Sequence, residues 1–195
     1  ELERLLNTVT ARTIASMSLL ERPVTTWVGT DEAGKGDYFG PLVVAGFAAD
    51  RTMVPALLDM KVRDSKSMSD AQVSTIAAEI LRRFSTRIEV VEILPRRYNE
   101  MMENFKKERK NLNHLLGWAH ARVLENLIRR HPSEAALADQ FGDERYIRQS
   151  LKSMAALEIK QTPRAERDPA VAAASVVARD RFLTSLKNLE KVAGC

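Results

Sequence analysis

The chain reads as an α/β protein on three observations. Its first half is rich in strand-like runs of β-branched and apolar residues. Helical periodicity then alternates with short apolar runs through the remainder. Of its 195 residues, 45 % are hydrophobic, enough to build a packed core and to exclude wholesale disorder.

The elements follow in order. Leu2, Leu5, Val9, Thr13, Met17 and Leu20 recur at spacings of three or four, which predicts an amphipathic helix over 2–20, weakest at Thr13. Pro23 ends it. Val24 to Thr30 is β-branched around Trp27 and predicts a strand. Asp31 to Gly40 carries three glycines and reads as a loop. Pro41 then opens a second apolar run, Leu42 to Phe47, so the two runs form a hairpin with the glycine loop between them.

Ser69 is an N-cap for a helix over Asp70 to Phe84. Arg87 to Leu94 alternates as a third strand. Residues 98–110 are strongly charged and end in Lys106-Lys-Glu-Arg-Lys110, either a solvated helix face or a nucleic-acid contact. Leu112, Leu115, Leu116, Ala119, Val123 and Leu127 trace one helical face up to Ile128. Ala135 to Asp139 is a short buried strand ending in an acid, and Ala156 to Lys160 reads as another. Ala170 to Val192 is a long helix with Val171, Ser175, Ala178, Phe182, Leu186 and Leu189 on its stripe. There is no internal repeat.

Composition narrows the function. No run of 18 uncharged apolar residues exists, so no membrane span is expected. One cysteine, Cys195, rules out a disulfide framework or a cysteine-rich zinc site. The opening mixes acids with Arg4 and Arg12 and lacks the apolar core of a signal peptide. A reducing, cytoplasmic location is the expectation. The net charge of +4 favours a polyanionic partner without proving one.

Several residues could carry chemistry. Asp31 and Glu32 adjoin where an apolar strand gives way to glycines. They are either a surface turn or ligands for a hard divalent cation, which prefers carboxylate oxygens. Gly34-Lys35-Gly36 follows at once; its glycines allow close approach of backbone N–H groups to an anion or a sugar hydroxyl, and Lys35 adds charge. The spacing is not that of a P-loop. Asp139, at a strand end, is either capped by backbone or turned toward a cation. Glu166 and Asp168 precede the long helix, where acids are favoured by the helix dipole without any catalytic role. His114 and His120 are six apart and face differently, which argues against paired metal ligation. Ser175 is read as bonding a carbonyl one turn earlier. No Gly-x-Ser-x-Gly elbow is present.

Five ordered segments resemble the type 2 ribonuclease H family, and within it ribonuclease HIII. They are Gly29-Thr-Asp-Glu-Ala-Gly-Lys-Gly-Asp-Tyr-Phe-Gly-Pro-Leu-Val-Val-Ala45, Asp64-Ser-Lys66, Asn111-Leu-Asn-His-Leu-Leu-Gly-Trp-Ala-His120, Asp139-Gln-Phe141, and the run from Ala165-Glu-Arg-Asp168 to Arg179. They run in order from about residue 24 to 183.

The resemblance implies an RNase H-like fold, a central mixed sheet flanked by helices, and hydrolysis of the RNA strand of RNA–DNA hybrids. It implies Asp31, Glu32, Asp139 and Glu166 as catalytic, metal-binding acids for two ions of Mg²⁺ or Mn²⁺. Asp168, two residues on, is the alternative fourth ligand. Gly34, Lys35 and Gly36 would contact the RNA backbone or 2′-hydroxyl. Lys66 and Arg164 are candidate phosphate contacts, with a plain surface role for either also open. The alternatives are ribonuclease HII-like cleavage at single embedded ribonucleotides and a hybrid-binding fragment that does not cleave. HII-type junction recognition involves a C-terminal tyrosine, and no tyrosine follows Glu166.

The family's catalytic domain is normally preceded by a substrate-binding domain similar to the TATA-box-binding protein. The 22 residues before Pro23 are too few for it. The expected organisation is therefore a connecting helix over 1–22 and a catalytic domain over 23–195 that is cut short at its C-terminus. The chain is expected to act as a monomer on hybrid, with no membrane and no obligate protein partner.

Overall fold

A computed structural model describes residue 20 and residues 24–62, 65–151, 154 and 156–194. The helix expected over 2–20 therefore lies, but for Leu20, outside the described residues, as does Asp64.

Among the described residues the sheet has five strands: β1 (Thr26–Ala33), β2 (Leu42–Asp50), β3 (Ile88–Ile93), β4 (Ala135–Asp139) and β5 (Glu158–Thr162), in the order β3-β2-β1-β4-β5. β1 pairs antiparallel with β2, and β2 with β3; β1 pairs parallel with β4, and β4 with β5. The sheet is thus mixed, as expected.

Strand periodicity of two sends alternate residues to two cores. Trp27, Val43, Ala45, Phe47, Ala135 and Leu137 face one side; Val28, Val44, Ala48, Ala136 and Ala138 face the other. Burial on both faces explains why these strands read as unbroken apolar runs.

Helices α1 (Val54–Asp59), α2 (Asp70–Phe84) and α6 (Pro169–Ala193) cover the first face. Helices α3 (Pro95–Lys107), α4 (Leu112–Arg130) and α5 (Arg145–Ser150) cover the second. α2 matches its expected bounds because its start is encoded locally. Ser69 accepts from the Gln72 N–H at 3.3 Å, and Gln72 Oε1 accepts from the Ser69 N–H at 3.0 Å, a complete capping box.

Several boundaries differ from expectation. β1 does not stop at Thr30 but runs to Ala33, so Asp31 and Glu32 lie in the strand rather than in a loop; their backbones pair with Ala45 and Val44. β2 continues past Phe47 to Asp50 for the same reason. β5 starts two residues later than expected, in register with β4 from Ala135↔Glu158 to Asp139↔Thr162. Within the charged run, 98–107 is helical; Tyr98, Met101, Met102 and Phe105 form its core-facing stripe, while Arg96 and Arg97 pair with Glu100 on the outside. The six-residue helices α1 and α5 were not anticipated, being too short to display a period.

One close approach sets the position of α6. A Cβ on Gly29 would lie 2.3 Å from the Val171 nitrogen, so only glycine lets the first turn of α6 rest on β1. The Trp27 indole N–H, one strand period away, donates to Asp168 Oδ1 at 3.0 Å.

Candidate active site

The acids gather at the carboxyl ends of the adjoining strands β1 and β4. Because Asp31 and Glu32 are consecutive in a strand, they face opposite sides of the sheet. Asp31 shares the α6 side with Trp27; Glu32 shares the α4 side with Val28. The Glu32 N–H donates to Asp31 Oδ1 at 2.8 Å and fixes the two relative to each other. The pairing Thr30↔Ala138 brings Asp31 and Asp139 side by side on the α6 face, since parallel partners point the same way.

Asp139 Oδ1 accepts from the Ala165 N–H at 3.0 Å. That bond ties β4 to the tight turn Ala165–Arg167, which carries half-buried Glu166 and is entered through Arg164 in the left-handed region, φ +57°. Asp168 is elsewhere engaged. Fully buried, its Oδ1 accepts from the Ala170 N–H at 2.8 Å, the Val171 N–H at 3.2 Å and the Trp27 indole. It is the N-cap of α6, a role that uses its carboxylate to close the helix.

Ser175 departs from its expected back-bond. Its hydroxyl meets Ser65 Oγ at 2.9 Å and hydrogen-bonds Asp31. Ser65 opens the turn Ser65–Ser67, so this contact brings Lys66 to the site, where its charge acts on Glu32. Arg164 is exposed at the head of its turn.

Electrostatics separate the paired acids. Burial, with the charges of Glu32 and Asp139, pushes the Asp31 carboxyl up to about 8, against the Ser175 hydroxyl and Glu32 N–H that favour its anion. Burial also works to raise Glu32, but His120, Lys35 and Lys66 outweigh it and hold Glu32 below its ordinary value. A raised folded-state value has a definite sign in stability. Between pH 4 and 8 folded Asp31 keeps a proton that the unfolded chain has released, so the metal-free protein loses stability as pH rises through that window. Asp31→Asn is expected to remove this slope. Thermal unfolding of both proteins without metal, from pH 5 to 9, checks it; parallel profiles would refute it.

The loop after β1 turns at Gly34, φ +83°, where a Cβ would lie 2.0 Å from the Pro41 carbonyl oxygen. Gly36, φ +87°, has open space beside it. Lys35 Nζ lies 3.7 Å from Glu32 Oε1 and 6.0 Å from the centre of the Phe141 ring. A cavity of about 410 Å³ opens beside the loop, lined by Gly34, Lys35, Gly36, Tyr38, Tyr98 and Asn99 among others. Tyr38 and Phe39 are strongly exposed and meet edge to face.

Among the described residues, no group of three or more His, Cys, Asp and Glu side chains is arranged to hold a metal ion as it stands. The donor chemistry nonetheless suits a hard cation: clustered carboxylates, with Asp31 forced toward its neutral form by burial and by the charges of Glu32 and Asp139. The sequence named the acids and the glycine loop, but did not show that His120 faces Glu32 or that Ser175 joins Ser65 to Asp31. The available signal was a polar residue set in an otherwise apolar helix face.

A mixed sheet of this order, covered on both faces and with acids at the ends of adjoining parallel strands, defines an RNase H-like α/β protein. The chain belongs to the ribonuclease HII family, whose description, Ribonuclease HII, matches residues 28–195.

Among individual relatives it is 40 % identical over 169 residues to Ribonuclease HIII of Protochlamydia amoebophila (strain UWE25), covering 86 % of this chain and 54 % of that protein. To Ribonuclease HIII of Chlamydia felis (strain Fe/C-56) it is 41 % identical over 168 residues, covering 84 % and 54 %. The chain thus spans about half the length of the curated relatives it matches.

Two solved structures are similar. Bst-RNase HIII in complex with Mn²⁺ superposes with a TM-score of 0.78 at 28 % identity, covering 93 % of this chain and 58 % of that one. RNase HII from the PCNA complex of Archaeoglobus fulgidus gives a TM-score of 0.68 at 31 % identity, covering 87 % and 77 %. No helix among the described residues is long and apolar enough to cross a membrane.

Proposed function

We propose that the chain hydrolyses the RNA strand of RNA–DNA hybrids in the manner of a ribonuclease HIII, with Asp31, Glu32, Asp139 and Glu166 holding two divalent ions, Mg²⁺ or Mn²⁺. The observation that carries this reading is the juxtaposition of Asp31 with Asp139 and Glu32 in a buried site, where burial first, then the charge of Glu32 and least that of Asp139, drive Asp31 up to about 8. A cation relieves that repulsion and restores the anion. The Mn²⁺ complex of Bst-RNase HIII supports the choice of metal. When bound, such ions supply Lewis acidity at the scissile phosphate and lower the pKa of the attacking water.

The protein's own groups do the rest. Asp139, held by the Ala165 N–H, and Asp31, held by Ser175 and the Glu32 N–H, present oriented oxygens at little reorganisation cost. Glu166 adds a carboxylate from the turn that Asp139 anchors. Asp168 is set aside as fourth ligand, because its acceptor oxygen caps α6. The open backbone at Gly36 and the Lys35 ammonium suit a sugar-phosphate strand, with the 2′-hydroxyl as the feature that marks RNA. Lys66 and Arg164 are the further phosphate contacts.

The test is incubation with labelled RNA–DNA hybrid and, separately, with a duplex holding one ribonucleotide, each with Mg²⁺ or Mn²⁺. Cleavage of the hybrid, and poor cutting at the single ribonucleotide, is the expected result. Preferential cutting at the single ribonucleotide indicates HII-type specificity instead, and binding without cleavage under either metal overturns the enzyme reading. Lys35→Ala is expected to weaken hybrid binding and to reduce the slope of log K against log salt by about 1, as for the loss of one phosphate contact. A salt titration of binding measures it; an unchanged slope removes Lys35 from the interface.

A further inference from the structure

His120 is fully buried in the middle of α4, on a face otherwise made of Leu116, Val123 and Leu124. A buried imidazole in such surroundings needs partners for both nitrogens. Nδ1 meets Thr30 Oγ1 at 2.9 Å, and Thr30, itself fully buried, is the strand residue two before Glu32 on the same side of the sheet. Nε2 faces Glu32 Oε2 at 3.4 Å. That contact falls just short of a hydrogen bond, and neither of those two buried atoms has any other partner among the described residues.

The ring is held in plane by Phe141, stacked at 4.8 Å with 24° between the planes. Phe141 is in turn fixed through its N–H, which donates to Gln161 Oε1 on β5 at 3.2 Å, and it follows Asp139 by two residues. The imidazole therefore cannot rotate away, and its free nitrogen is aimed at one oxygen of one acid. The other oxygen, Oε1, is turned toward Lys35 and the loop.

From this geometry we infer that His120, oriented by Thr30 and Phe141, is a positioning residue that holds Glu32 Oε2 so that Oε1 is presented to a divalent cation. The inference rests on Glu32 being a metal ligand, as proposed above. With the Nε2 proton turned to the carboxylate, Nδ1 accepts from the Thr30 hydroxyl, so both ring nitrogens are used and the tautomer is set by the strand itself. Partners behind a ligand of this kind orient it and commonly contribute about 10- to 100-fold in metal affinity.

The experiment measures Mn²⁺ binding by electron paramagnetic resonance on the full chain without substrate, beside thermal unfolding. His120→Phe keeps a ring to stack on Phe141 but offers Glu32 no donor; it is expected to fold and to bind Mn²⁺ about 10- to 100-fold more weakly. His120→Gln restores an N–H near the Nε2 position and is expected to recover most of the loss, which a purely space-filling role would not produce. A folded His120→Phe with wild-type Mn²⁺ affinity overturns the inference. Should His120→Phe not fold, Thr30→Val decides: it keeps the shape of the strand residue and removes only the hydroxyl, so weaker Mn²⁺ binding supports the inference and unchanged binding overturns it. Glu32→Gln serves as the reference. If it binds Mn²⁺ like the wild type, the ligand assignment fails and the inference with it; if it loses binding while folded His120→Phe does not, only the inference fails.

Discussion

Asp31→Asn is expected to lower hybrid cleavage by about 100- to 1,000-fold, the scale seen when a principal electrostatic group of a transition state is removed. The same substitution should leave the fold intact. In the metal-free protein burial and the charges of Glu32 and Asp139 already favour the neutral carboxyl at Asp31, and an amide is close to it in shape. The Glu32 N–H finds an acceptor in the Asn Oδ1, and the Ser175 hydroxyl, able to donate or accept, suits either end of the amide. What is lost is the negative charge that a cation would call out. Asp139→Asn makes the parallel case: its Oδ1 can still accept from the Ala165 N–H, so the turn carrying Glu166 stays in place while the charge disappears. Cleavage of labelled hybrid with Mn²⁺, beside circular dichroism, measures both. Normal cleavage by either folded variant would remove that residue from the site.

The second large effect concerns Asp168, where stability and catalysis should part. Asp168→Ala strips the acceptor from three buried donors, the Ala170 and Val171 N–H groups and the Trp27 indole. Loss of the cap, which serves the Ala170 and Val171 N–H groups, costs about 1 kcal/mol, and the Trp27 indole left unpaired adds about 1–3 kcal/mol. A total of roughly 2–4 kcal/mol follows, a large share of a domain's stability. Chemical denaturation reads it directly. Asp168→Asn keeps an acceptor oxygen, so it is expected to retain most of the stability and near-normal cleavage, whereas Glu166→Gln is expected to lose cleavage with little change in stability. The reverse pattern, an inactive Asp168→Asn beside an active Glu166→Gln, would make Asp168 the ligand.

Legibility from sequence followed the range of the interactions. The Ser69 start of α2, the apolar face of α4 and the long α6 were readable because caps and periods are local properties. The acids could be picked out as a set because their motif order resembles that of a family. The end of β1 was misread, since charged residues and nearby glycines look like a loop; only pairing with Val43, Val44 and Ala45 keeps Asp31 to Ala33 extended. β5 slipped by two residues for a related reason, its register being decided by β4.

His120 and Ser175 were the larger omissions. Each reads locally as an ordinary polar residue on a helix, one of them set aside as a ligand and the other assigned a back-bond. Their partners lie far along the chain: Thr30 and Glu32 are 90 and 88 residues from His120, and Ser65 and Asp31 are 110 and 144 from Ser175.

By itself, then, the sequence determined the α/β class, the helices whose signals are local, and the chemical types gathered for the site: hard carboxylate oxygens, a glycine loop and a lysine. Only the tertiary structure decided how they are used. It sent Asp31 and Glu32 to opposite faces of one strand, set Asp139 beside Asp31, committed Asp168 to the helix end, and put His120 behind Glu32. The physical reason is that side-chain direction in a strand depends on register with neighbouring strands, and register is set by packing across two cores that no local window contains.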